Sequence, residues 1–161
     1  MKQTQGDKHT IAWFKIADCV SRGEKERALG VYRLLSHSFN DPAVARQLEA
    51  DIYLSFGEQE LAIQLYAQAM ELYQKSQRYL EAVAICEHLI IMNSVDIALR
   101  REAIKLHNML GTISRIHEHI KKVLDLLMLI SEDHHVQEFL SLLHGYSNEL
   151  YDYAVTYIKE K

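Results

Sequence analysis

An internal repeat constrains this chain more than any other feature of its sequence. Residues 23–35, GEKERALGVYRLL, superimpose on residues 57–69, GEQELAIQLYAQA, at an offset of 34 residues. Gly23 falls on Gly57, Glu24 on Glu58, Glu26 on Glu60, Ala28 on Ala62, Tyr32 on Tyr66 and Leu35 on Ala69. Repetition at such a period marks stacked supersecondary units, each too small to bury its apolar face alone. The repeated positions suit a helical hairpin. Gly23 and Gly57 each end an apolar-periodic segment, where a left-handed residue can close a helix. Ala28 and Ala62 are small where two helices pack closely, and Tyr32 and Tyr66 lie one turn further along the same face. Asp41-Pro42 reads as a cap followed by proline at the first helical position.

Composition agrees with helices. One proline and six glycines are too few for the many tight turns of an all-β chain. Segments rich in Ala, Leu, Glu, Gln and Lys favour helix. The reading is an all-α fold of eight helices over 10–22, 24–38, 42–56, 58–75, 78–92, 95–109, 112–130 and 133–159. Taken in order they make four antiparallel hairpins in a single domain spanning 1–161, repeat-like over 10–109 and divergent over 112–159. Polar or glycine-containing junctions separate them at Asn93-Ser94, Gly111-Thr112 and Ser131-Glu132-Asp133.

The last two predicted helices each carry one apolar stripe. Ile113, Ile116, Ile120, Val123, Leu127 and Ile130 form the first; Val136, Phe139, Leu143, Tyr146, Leu150, Tyr153 and Tyr157 form the second. The stripes pack on each other as a C-terminal cap for the stack, since a solenoid must bury its open end. Alternatively the second stripe, with its tyrosines, is a self-association surface. Gly145 is the expected kink in that helix.

Few residues point to chemistry. His117 and His119 stand about 200° apart on a helix and cannot share one ion. His134 and His135 stand about 100° apart, a poor pair. Glu132-x-x-His135 is alone, whereas a di-iron bundle needs two such motifs and further glutamates. H-E-x-x-H, a phosphate loop, a dinucleotide-binding glycine pattern and a nucleophile elbow are all missing. Cys19 and Cys86 follow apolar spacings and read as small core residues. No catalytic residue, metal or cofactor is expected. The net charge of −4 and basic clusters no longer than pairs, Arg100-Arg101 and Lys121-Lys122, argue against a nucleic-acid partner. The longest apolar run, Val123 to Ile130, contains Asp125 and is far short of the roughly 20 residues of a membrane span. Residues 1–10 are polar and carry no secretory signal pattern. Two cysteines cannot make a disulfide framework, so a reducing cytoplasm is the expected compartment.

The chain resembles the tetratricopeptide repeat family, most clearly over residues 10–75. Trp13, Ile16, Ala17 and Val20 keep the spacing of the family's first helix, and Ala28, Tyr32 and Pro42 follow in its second half. Ala50, Tyr53, Ala62, Tyr66 and Ala69 match in a second unit, with Arg46 and Glu49 in place of apolar residues. From Trp13 to Gly23 the chain is one residue shorter than the family pattern. In a third unit, Leu80, Val83 and Ala84 fit the start of a first helix. Alternatively Arg78-Tyr79-Leu80-Glu81-Ala82 begins a helix of the second type. The resemblance implies an α-solenoid that binds a peptide or helix of another protein, as an adaptor or chaperone-like scaffold, without enzymatic activity. First helices would line the binding face, which singles out Lys15, Asp18, Arg46, Gln47, Asp51, Glu81 and His88. The C-terminal stripe adds Tyr153 and Tyr157, the residues on which a homodimer would rest.

Overall fold

The computed structural model describes residues 5–37, 39–130 and 133–161, with side chains from Ile11 onward. Its described residues form nine α-helices and no strand. The chain divides into two compact units, Met1–Arg78 and Tyr79–Lys161. The first holds α1 (Gln5–Ser21), α2 (Lys25–Ser36), α3 (Pro42–Ser55) and α4 (Gln59–Lys75). The second holds α5 (Tyr79–Met92), α6 (Ile97–Leu110), α7 (Ile113–Ile130), α8 (Asp133–Tyr146) and α9 (Asn148–Lys159).

In the first unit α1 pairs with α2 and α3 with α4, and α2 packs on α3. The 34-residue register is realised in three dimensions. Ala28 and Ala62 are fully buried, and Tyr32 and Tyr66 are buried one turn later. Glycine closes the first helix of each hairpin in the same way. Gly23 (φ 72°) and Gly57 (φ 78°) are left-handed. The Gly57 N–H donates to the Leu54 carbonyl at 2.9 Å and the Glu58 N–H to the Tyr53 carbonyl at 3.0 Å, which is a Schellman cap. Gly23 and Glu24 repeat it on Val20 and Cys19. Asp41 caps α3 as its sequence suggests: its carboxylate accepts from the Ala43 N–H at 3.0 Å and the Val44 N–H at 3.3 Å, with Pro42 at the first helical position. Ile16 and Cys19 of α1, Leu29 and Leu35 of α2, and Leu48 and Ile52 of α3 share one apolar core.

The second unit departs from the repeat. A Schellman cap also ends α4, but its left-handed residue is Gln77 (φ 59°) rather than glycine. Ala82 follows Gln77 at the spacing by which Ala28 follows Gly23, and it too is fully buried, whereas Leu80 is exposed. The helix beginning at Tyr79 thus has the burial register of α2 and α4, while it pairs with α6 as the first member of its hairpin. Cys86 takes the place of the repeat tyrosine and is buried, as is Cys19.

The single helix expected over 133–159 is two helices. Ser147 lies between them in extended conformation (φ −165°, ψ 140°), and its hydroxyl accepts from the Glu149 N–H at 3.1 Å, capping α9. The break falls two residues past Gly145, where a local N-cap competes with helix continuation. As a result α7 does not pair with one long helix. It packs on α6 and against both members of an α8–α9 hairpin. Ile116, Ile120, Val123 and Leu127 of α7 meet Phe139, Leu143 and Leu150 in one core. Ile113 and Ile130, at the ends of the α7 stripe, are exposed.

Candidate partner-binding surface

In the first unit the predicted residues lie on α1 and α3, and the two helices use them differently. Helix α1 buries Ile16 and Cys19 against α2. Its outer side carries Ile11, Phe14, Lys15 and Asp18, three and four residues apart and all exposed. Phe14 is 72% exposed. Asp18 pairs with Arg22 at 3.0 Å, an i,i+4 pair open to solvent. The first-helix spacing of Trp13, Ile16 and Ala17 does not single out Phe14 and Ile11, and of those three only Ile16 is buried.

Helix α3 instead engages its polar residues with the repeat tyrosines. The Tyr73 hydroxyl donates to Gln47 Oε1 at 2.8 Å, and the Tyr66 hydroxyl donates to Asp51. The Tyr32 hydroxyl donates to Glu49 Oε2 at 3.1 Å, and Arg46 Nη1 donates to the same oxygen at 2.6 Å. Burial, reinforced by Glu49, pushes the Tyr32 phenol up to about 12. Burial and Asp51 raise Tyr66 likewise. Both phenols stay protonated donors at neutral pH. Arg46 and Asp51 remain exposed, while Gln47 is half-buried. Glu49, absent from the predicted set, anchors this row.

In the second unit Glu81 and His88 lie half-buried on α5. Tyr153 and Tyr157 of α9 turn toward α7. Tyr153 stacks on His117 with ring centroids 3.7 Å apart, and the Tyr157 hydroxyl donates to Asp125 Oδ1 at 2.9 Å. Lys121 lies over both rings. The tyrosines of the C-terminal stripe are thus occupied within the unit.

Sequence reading missed one cluster. Glu87 of α5, His107 of α6, and His119 and Arg115 of α7 converge on one carboxylate oxygen. Glu87 Oε1 lies 3.0 Å from His107 Nε2, 3.0 Å from His119 Nε2 and 2.9 Å from Arg115 Nη2. His107 and His119 are 5% and 3% exposed, and their rings stack at 5.6 Å. Burial alone would raise the Glu87 pKa. The bonds from His107, His119 and Arg115 outweigh it and hold the carboxyl at about 2. Burial lowers the His119 pKa against the opposing pull of Glu87, favouring a neutral ring. Glu87, His107 and His119 are the described group whose ligand atoms could hold a metal ion, all lying within 4.8 Å of one another. Local spacing could not reveal the set, because each member comes from a different helix.

No helix of the described residues is long and apolar enough to cross a membrane. No protein-family model matches the chain, and no curated protein matches it. Among solved structures the chain is similar to two crystal structures of MamA. Each is 16% identical with a TM-score of 0.42; they cover 96% and 99% of this chain and 90% and 93% of the other. It is also similar to a MamA RS-1 ArsTM double mutant, 14% identical with a TM-score of 0.37, covering 98% of each chain.

Proposed function

We propose that the chain is a protein-interaction module of tetratricopeptide type, holding a peptide or helix of a partner protein against the outer side of α1. The observation that carries this reading is the row Ile11, Phe14, Lys15 and Asp18. Two large apolar side chains stand exposed beside one charge of each sign on a rigid helix. An exposed aromatic flanked by charge is what a partner helix or strand can bury, the aromatic giving affinity and the charges register. The stacked hairpins supply a rigid frame, which suits a scaffold. The tyrosine bonds that tie α3 to α2 and α4 support the same reading, because they fix the repeat unit on which α1 is mounted. The packing of Tyr153 and Tyr157 against α7 supports a capping role for the C-terminal helices over self-association.

The test places a photo-crosslinking phenylalanine analogue at position 14 and, as a control, at Lys75, an exposed site on α4. In the native cell, position 14 should yield a discrete adduct with another protein. That adduct should disappear when Ile11 and Lys15 are changed to Ser and Glu in a chain of unchanged helicity. Adducts at position 14 no different from those at position 75 refute the assignment of α1 as the binding face.

A further inference from the structure

We propose that Glu87, His107 and His119 form a site for a divalent transition metal, with zinc the best match. This is independent of the partner-binding reading, since every ligand lies in the second unit.

The geometry is close to a metal triad. A tetrahedral zinc holds His nitrogen at about 2.0–2.1 Å and carboxylate oxygen at about 2.0–2.2 Å, so neighbouring ligand atoms stand about 3.3 Å apart. Two of the three edges are present, from Glu87 Oε1 to His107 Nε2 and to His119 Nε2, both 3.0 Å. The two nitrogens lie within 4.8 Å of each other, so closing the third edge moves each ring by less than about 1 Å. Both rings are nearly fully buried and supplied by packed helices, so little ordering remains to be done on binding. Two imidazoles and one carboxylate suit zinc, cobalt, nickel or copper and not the oxygen-seeking calcium or magnesium. Three protein ligands leave a fourth position, and Glu87, with a side chain 23% exposed, gives that position access to solvent.

The surroundings support the ligand tautomers. A ligating Nε2 must be unprotonated, which places the proton on Nδ1. His107 Nδ1 lies 2.7 Å from Thr112 Oγ1, whose own proton can go to the His107 carbonyl oxygen at 3.2 Å. Without the ion the His107 Nε2–H donates to Glu87; when an ion takes Nε2, the proton moves to Nδ1, where the Thr112 hydroxyl accepts it. His119 Nδ1 is buried with no hydrogen-bond partner, so moving its proton there from Nε2 breaks no bond on that side. Cys86, next to Glu87, is not a ligand. Burial raises its thiol to about 12, and its sulfur is turned to the Leu99 carbonyl at 3.4 Å.

Arg115 is the competitor. Its guanidinium occupies the same Glu87 oxygen and brings a positive charge that a metal would oppose. It is also bonded to Glu118 at 2.6 Å and is 46% exposed, so it can retreat to Glu118 when an ion enters. The site therefore has two states, an arginine-clamped carboxylate and a metal-bound one.

The experiment titrates the metal-free full-length chain with Co²⁺ near neutral pH, then displaces the cobalt with Zn²⁺. One equivalent should bind, with the strong visible absorption of tetrahedral cobalt. Mg²⁺ should not compete. Glu87→Gln, which keeps an oxygen acceptor and loses the charge, should weaken binding at least about tenfold. Arg115→Gln should tighten it severalfold. His119→Ala should abolish the spectrum, while the exposed-site control His37→Ala leaves it intact. Should His119→Ala fail to fold, nitrogen-15 spectra of the wild-type imidazoles decide: Zn²⁺ should move the Nε2 resonances of His107 and His119 among the nine histidines. Absence of binding, binding unchanged by Glu87→Gln, or resonance shifts on other rings overturns the site and leaves the cluster a hydrogen-bonded clamp alone.

Discussion

Replacing Glu87 with leucine tests how much three helices depend on one carboxylate. In the wild-type chain Oε1 accepts from His107, His119 and Arg115. Leucine removes the acceptor and strands the donors, but not equally. The His107 and His119 side chains are 6% and 3% exposed, so neither can turn to water. A buried donor left without a partner costs about 1–3 kcal/mol. Arg115 is 46% exposed and still holds Glu118, so its loss costs close to nothing. The expected destabilisation is about 2–6 kcal/mol, a large part of the about 5–15 kcal/mol available to a domain. Glu87→Gln retains one acceptor oxygen and should cost about 1–2 kcal/mol. Urea denaturation followed by far-ultraviolet circular dichroism in excess EDTA measures both, free of any metal contribution. A double-mutant cycle with His119→Leu isolates the pair and should show a coupling of at least about 1 kcal/mol. A loss below about 0.5 kcal/mol for Glu87→Leu, or simple additivity in the cycle, would refute the view that the cluster binds the helices together.

Acidification should destabilise the second unit in two steps, the depressed histidines His119 and His117 acting first and the depressed carboxylates Glu87 and Asp125 later. The His119 pKa is depressed from 6.5, so the unfolded chain takes up its proton first and stability falls as pH drops below about 6.5. Glu87 is held at about 2 against an ordinary 4.5, so its contribution is present above about 4.5 and is lost as pH falls toward 2. With its partial solvent access that contribution is about 1–2 kcal/mol. Melting curves from pH 7 to 3 should show both steps, and Glu87→Gln should shrink the lower one, leaving the part due to Asp125. The left-handed positions give opposite results by the same reasoning. Gly57→Ala places a side chain at φ 78° and should cost about 1 kcal/mol, whereas Gln77→Gly relieves a side chain at φ 59° and should gain about 0.5–1 kcal/mol, read as shifts in the urea midpoint.

How much of this fold was legible depends on how local its causes are. The α1–α4 hairpins follow from signals contained in a few residues: a glycine able to turn left-handed, an alanine five residues on, a tyrosine one turn later, and Asp41-Pro42. Each acts through its own helix or the adjacent one, so a 34-residue offset exposes them. The third cap hid because Gln77 does the work of a glycine, which left α5 open to two registers. In the structure the two signals divide: Ala82 is buried as in a second helix, while α5 pairs with α6 as a first helix does. The last helix was read as continuous because its apolar stripe runs unbroken through Leu143, Tyr146 and Leu150. Periodicity shows which side is buried. It does not show that Ser147 leaves the helix to cap the next one.

The candidate sites divide along the same line. Lys15 and Asp18 were legible because exposure on one helix is a matter of angle, and the same angle brings Ile11 and Phe14 beside them. Spacing within one helix tests only neighbouring ligands, and by it His117 and His119 exclude each other. His117 does face elsewhere, onto Tyr153. His119 instead meets a histidine from the preceding helix and a glutamate from the one before that. One local signal nonetheless prepares the cluster. Gly111 (φ 69°) closes α6 with the Thr112 N–H on the His107 carbonyl at 3.1 Å, and the Thr112 hydroxyl holds His107 Nδ1 at 2.7 Å. The cap that ends the helix therefore also orients the imidazole. A glycine-threonine junction four residues after a histidine is readable as a helix end, and here that end aims the ring at Glu87. The residues that terminate α6 are thus part of the site, and a change at Thr112 should loosen His107 while leaving the bonds of His119 and Arg115 to Glu87 in place.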